Sequence, residues 1–131
     1  MDDGQELGNY RTMTHWLVRD DALYLVYNRT HELNNGVFRD RAPLFIAQVD
    51  PEKLCVIRDT EQVVIPENGA RLGNFAVANV SDDESWIVSG EWLEQNVPGY
   101  KEGMPFWADL GDQANRMQYI GDLLLARVKF G

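Results

Sequence analysis

Residues 16–27 and 77–91 share one layout: an apolar run, an acidic turn and a second apolar run. In the first, Trp16, Leu17 and Val18 lead through Asp20 and Asp21 into Leu23, Tyr24, Leu25, Val26 and Tyr27. In the second, Asp82, Asp83 and Glu84 separate Val77 from Trp86, Ile87 and Val88. Each unit is followed by a further run of like pattern, residues 44–50 after the first and 123–129 after the second. A repeat of this size made of strands points to blades of a β-propeller. Two blades do not close a propeller. The chain is therefore expected to be a fragment, or a building block completed by association.

The fold class predicted is all-β, two propeller-like blades of antiparallel strands in a single domain, residues 1–131. Residues 1–12 are polar and contain glycine, which reads as a loose arm. The first blade-like unit spans residues 13–66 and the second residues 70–131, with a long insert at 93–116. Strands are expected from about Met13 to Val18, 23–27, 44–49, 54–57, 62–65, 75–80, 86–92, 117–120 and 123–130. Asp20 and Asp21, the Asp50-Pro51-Glu52-Lys53 stretch and Asp59-Thr60-Glu61 mark turns between them. Asn34, Asn35 and Gly36 mark another inside the polar segment 29–43. Helical periodicity is nearly absent. One helical turn is expected within 106–118.

The charge narrows the partners. The formal net charge is −9, from 21 acidic and 12 basic residues. Phosphates would be repelled, which excludes nucleic acid, and an anionic membrane surface is disfavoured for the same reason. No apolar run approaches the roughly 18 residues of a membrane helix, and the N-terminal stretch has no apolar core of a signal peptide. A cytoplasmic location is expected. The one cysteine, Cys55, excludes an intrachain disulfide and a Cys-x-x-Cys motif. His15 and His31 are too few for a zinc site. No metal and no cofactor is predicted. Clustered carboxylates at 2–3, 20–21 and 82–84 fall at turns or at the terminus and are read as solvated.

The stretch 39–54, with residues 69–75 and 84–87, resembles the C-terminal blades of the sialidase or neuraminidase superfamily of six-bladed propellers. The resemblance covers about residues 13–130. Its nearest approach to the family's Asp-box turn, Ser-x-Asp-x-Gly-x-Thr-Trp, is Ser81 to Trp86, which is two residues shorter and lacks the glycine. It implies binding or hydrolysis of a carbohydrate. A complete sialidase site needs an arginine triad, a Tyr/Glu pair and an acid drawn from several blades, more than two blades supply.

The residues that could carry chemistry flank the strands. Arg39 and Arg41 precede the third strand and could grip a carboxylate or sugar hydroxyls bidentately. Arg71 and Asn74 stand beside Gly69 and Gly73 and are expected to bind ligand. Glu91 is the candidate catalytic acid or base. Trp92 beside it could pack on a sugar ring. Arg29 and His31 hold the matching end of the first unit and complete the ligand-binding set. Three readings follow. The chain is a carbohydrate-binding module without catalysis, a glycoside hydrolase whose site forms between chains, or a structural module with a decayed site. Open blade flanks give it a reason to self-associate. A homo-oligomer is expected, and three chains would complete six blades. Met104, Phe106 and Trp107 make the insert a candidate interface arm.

Overall fold

Runs of alternating Leu, Val, Ile and aromatic residues, each closed by an Asp-, Asn- or Pro-containing turn, build short strands and no α-helix among the described residues. The structure, a computed structural model, describes residues 1–9, 12–68, 71–92 and 122–131. The strands are β1 (His15–Val18), β2 (Leu23–Tyr27), β3 (Leu44–Asp50), β4 (Cys55–Val56), β5 (Gln62–Ile65), β6 (Arg71–Asn79), β7 (Glu84–Trp92) and β8 (Leu123–Lys129). Short 3₁₀ turns lie at Glu32–Asn34, Phe38–Asp40 and Arg58–Thr60. The strand expected at 117–120, the helical turn within 106–118 and the insert 93–116 lie outside the described residues.

Among the described residues all pairings are antiparallel and fall into two sheets. The first runs β1-β2-β3, with β4 and β5 both on the far side of β3; the second runs β6-β7-β8. Each sheet thus opens with the same three-stranded meander, and the two acidic turns are its first hairpin loops. In the first sheet β4 and β5 act as one edge row broken by a 3₁₀ turn. Thr60 bridges the break: its hydroxyl accepts from the Gln48 amide at 2.8 Å and donates to the Ile57 carbonyl at 2.7 Å. The Ile57 amide bonds the Gln48 carbonyl at 2.9 Å, so the ladder opposite Gln48 stays satisfied despite the interruption. Leu54, expected to open the fourth strand, belongs instead to the turn. Its amide closes on the Asp50 carbonyl at 2.8 Å, its φ is 53°, and its side chain lies in solvent.

Strand alternation gives the first sheet two apolar faces. The inner face presents Leu17, Val26, Leu44, Ile46 and Ile65 to Leu72, Phe75 and Ile87 of the second sheet. Leu124, Ala126 and Val128 of β8 pack at the margin of this core. His15 stands edge-on to Phe75 at 5.0 Å, a packing role. One end of the seam is tied by Asn79, whose amide donates to the Val18 carbonyl at 2.8 Å. At the same end Arg19 donates to the Ser81 carbonyl at 3.0 Å and lies over the Phe130 ring. The other end is tied by the Leu72 amide, which bonds the Arg41 carbonyl at 3.0 Å.

The outer face of the first sheet gathers Leu25, Tyr27, Phe45, Ala47, Val49 and Val56. Residues 1–9, read from the sequence as loose, lie across it. Met1 and Leu7 pack on the cluster. The Asp2 amide bonds the Val56 carbonyl at 2.8 Å, and Asp2 Oδ1 accepts from the Arg58 amide at 3.0 Å. The Asp3 carboxylate pairs with the Arg58 guanidinium, which also donates to Gln5 Oε1 at 2.9 Å. Two apolar side chains among acids are enough to dock the segment because the sheet face beneath offers both a greasy patch and a cation. The outer face of the second sheet carries Trp86, Leu123 and Leu125, which are 38%, 77% and 48% exposed. No helix among the described residues is long and apolar enough to cross a membrane.

Candidate functional site

The bond between the Arg41 carbonyl and the Leu72 amide stitches the segment before β3 onto the start of β6. That juncture brings together basic residues far apart in sequence. The Arg41 guanidinium stands 3.5 Å from Asn74 Oδ1, toward which it donates. Burial holds that guanidinium below the ordinary arginine range, and the positive charges of Arg71 and Arg39 push it further the same way. The Arg41 guanidinium thus lies within the field of two other arginines, with the Asn74 amide beside it. Arg39 reaches it from a left-handed backbone position, φ 57°, followed by Asp40 at φ 55°. A bulge between Leu72 and Phe75 offsets the strand where Asn74 stands.

Strand register adds the acid. Leu72 pairs with Glu91 and Arg71 with Trp92, so the end of β7 lies beside the start of β6. Six of the eight sequence candidates (Arg39, Arg41, Arg71, Asn74, Glu91 and Trp92) thus belong to one corner of the molecule. The side chain of Trp92 lies outside the described residues.

Arg29 and His31 stand elsewhere. Arg29 makes a two-pronged ion pair with Glu61, Nε to Oε2 at 2.8 Å and Nη2 to Oε1 at 2.6 Å, and lies over the Phe45 ring at 5.2 Å. The Tyr27 hydroxyl donates to the same Glu61 Oε2 at 2.6 Å. His31 accepts from the Leu33 amide through Nδ1 at 3.1 Å and so caps the turn Glu32–Asn34. Both side chains are committed to holding the loop 29–43 against the first sheet. The Tyr27–Arg29–Glu61 cluster has no signature in the sequence, since its acid lies 32 residues beyond its arginine.

The acidic turn at 82–84 is likewise occupied. Asp83 accepts from the Ser81 hydroxyl at 2.6 Å, and Glu84 is paired by Arg127 at 2.7 and 2.8 Å. The Arg127 hydrogen bonds, with one from the Trp86 indole, hold the Glu84 carboxyl down at about 2. Among the described residues no group of three or more His, Cys, Asp or Glu side chains is placed to hold a metal ion. Cys55 is a half-buried free thiol.

No known protein family, curated protein or solved structure matches the chain. The arrangement of its own residues is what bears on function.

Proposed function

We propose that the chain is a carbohydrate-binding, sialidase-like propeller module without catalysis, and that the arginine corner takes an acidic sugar by its carboxylate. The observation that carries this reading is the backbone bond from Leu72 to Arg41, which sets the Arg41 guanidinium beside Asn74 at the start of β6 in a protein of net charge −9. A carboxylate bound there would gain charge-assisted bonds from the Arg41 guanidinium. Asn74 adds an amide for a neighbouring hydroxyl. The placement of Glu91 at the same corner favours the second reading, a glycoside hydrolase in which Glu91 acts with an Asp.

Titration of an acidic monosaccharide, followed by calorimetry, tests this. Arg41→Ala is expected to weaken binding about 10- to 100-fold, the worth of a hydrogen bond to a charged group. A neutral monosaccharide should not compete at this corner. Glu91→Gln should leave binding intact and wild type should show no turnover. Turnover that disappears with Glu91→Gln would replace the reading by the hydrolase, and silence toward every acidic sugar would leave a structural module.

The blade reading also extends to assembly. A four-row antiparallel meander, as in the first sheet, is the form of a propeller blade. A six-bladed ring from three chains needs each outer face to meet a neighbour. The outer face of the second sheet, with Trp86, Leu123 and Leu125, is open to one, whereas residues 1–9 cover that of the first. The ring therefore requires the arm to become part of the interface. Light scattering on the eluting protein decides: a mass of three chains supports the ring and a stable monomer refutes it.

A further inference from the structure

β4 belongs to the edge row of the first sheet, and an edge leaves backbone groups without a strand to pair with. One residue of the N-terminal arm takes two of them. The Asp2 amide donates to the Val56 carbonyl at 2.8 Å, and Asp2 Oδ1 accepts from the Arg58 amide at 3.0 Å. The side-chain oxygen thus stands in for the carbonyl that an added strand would offer. The next residues fix the register. Asp3 pairs with the Arg58 guanidinium, which also donates to Gln5 Oε1 at 2.9 Å, and Asp3 Oδ1 accepts from the Gln5 amide at 2.9 Å. Met1 and Leu7 are half-buried on the outer cluster, whereas residues 2–6 lie in solvent. Edge bonds for the backbone and separate places for particular side chains are how an extended peptide docks on a sheet.

The arm is therefore a ligand of this face as well as a part of the chain. Apart from the sheet's own Leu23, the partly buried apolar side chains packed on the cluster among the described residues are Met1 and Leu7. Lifting the arm bares an apolar patch that calls for another cover. The hold on the arm is of a kind that lets go. The Asp3 and Arg58 side chains are each 34% exposed, and ion pairs so exposed are weak and screened by salt. The polar contacts join residues 53 to 56 positions apart in sequence, and none of them requires both partners to lie on one chain. A second copy offers the same methionine, two aspartates and leucine in the same order, so its arm fits where this one does.

We propose that this face is a peptide-docking surface that the arm occupies in cis, and that a second copy of the chain delivers its own arm to it in trans, so that copies join by exchanging arms. The proposal rests neither on the arginine corner nor on the six-bladed ring.

The test uses full-length chains and a fluorescent peptide of residues 1–9. The arm variant Asp3→Asn, Leu7→Ala keeps the face and weakens its cis occupant. The peptide should bind this variant saturably, read by fluorescence anisotropy, and should slow hydrogen exchange at its Arg58 amide. Adding Arg58→Ala to the same chain should weaken binding about ten-fold or more, the scale of a lost hydrogen bond to a charged group. A peptide that itself carries Asp3→Asn and Leu7→Ala should lose binding to the same degree, and it asks the question without touching the fold. Mixing tests delivery by a second copy. By light scattering, the arm variant and Arg58→Ala should each have the mass of one chain, and their mixture the mass of two, because one brings a sound face and the other a sound arm. Arg41→Ala should change neither result, so failure here is distinguishable from failure of the arginine corner. A peptide that does not bind the arm variant, or that binds equally well after these substitutions, overturns the docking surface. A mixture whose mass does not exceed that of either variant alone overturns the exchange.

Discussion

Replacing Glu61 with alanine is expected to destabilise the fold by about 3–5 kcal/mol, the usual result of removing one partner from a buried ion pair. The Arg29 and Glu61 side chains are only 11% and 12% exposed. Without the carboxylate, the guanidinium keeps its charge but loses two short bonds, and the fully buried Tyr27 loses the acceptor of its hydroxyl. Burial and the bond to Glu61 drive the Tyr27 phenol well above its ordinary range, so it stays a donor throughout the accessible pH range. For a chain of this length the midpoint of thermal unfolding should fall by roughly 10 °C or more. Urea unfolding checks the free energy, and a loss below about 1 kcal/mol would mean the cluster is wetter than its geometry. The same pair sets a pH dependence. Burial pushes the Glu61 carboxyl up, but the bonds from Arg29 and then Tyr27 outweigh it, and the group ends below the ordinary carboxylate range. The unfolded chain then holds the proton more tightly. The stabilisation is complete above a pH of about 4.5 and is lost as the pH falls through the folded-state value. Glu84, held at about 2 by Arg127, acts with the same sign as the pH falls from about 4.5 to about 2. Wild type should therefore lose stability from about pH 4.5 downward, and Glu61→Gln should flatten that slope while leaving the share due to Glu84.

Phe45→Ala should cost about 3–5 kcal/mol, as expected for an aromatic removed from a packed core. Phe45 is 2% exposed and pairs across strands with Tyr27, whose ring it meets stacked at 6.0 Å. His31 stands at 5.3 Å and the Arg29 guanidinium at 5.2 Å. The ring thus supports the ion pair from below, and the arm rests on the same cluster through Met1 and Leu7. Two consequences separate this site from an ordinary core position. The double variant Phe45→Ala, Glu61→Ala should lose less than the sum of the single losses, by about 0.5–3 kcal/mol, because the residues share Arg29. Hydrogen exchange at the Asp2 amide, bonded to the Val56 carbonyl, should quicken more than at β7, since the arm loses its footing first. Additive losses with unchanged arm protection would show that the ring packs independently of both.

Local pattern carried most of the strand map. β3, β5 and β8 follow from short apolar runs bounded by Pro, Asp or Gly, and the Asp50 side chain caps its turn by accepting from the Glu52 and Lys53 amides. The failures have physical reasons. Leu54 reads as strand because it is apolar, but closing the turn on the Asp50 carbonyl demands a left-handed residue there. Residues 1–9 read as loose because their composition is polar, and only the finished outer face gives Met1, Leu7, Asp2 and Asp3 something to hold. In the candidate site, the residue types were legible and their grouping was not. Arginines ahead of β3 and at the start of β6 stand out in the chain, but their approach depends on one backbone bond, from Leu72 to Arg41. Arg29 looks the same in sequence and is withdrawn by Glu61.

By itself the sequence determined the all-β class, the repeated three-stranded meander and its acidic hairpin loops, because period-two alternation and turn chemistry act over a few residues. Only the tertiary structure decided which face of each sheet is covered, which arginines meet, and which acid takes Arg29. Those outcomes depend on the pairing of segments some 30 to 60 residues apart, as from Arg41 to Leu72 and from Asp2 to Arg58. Local propensity carries no record of such encounters.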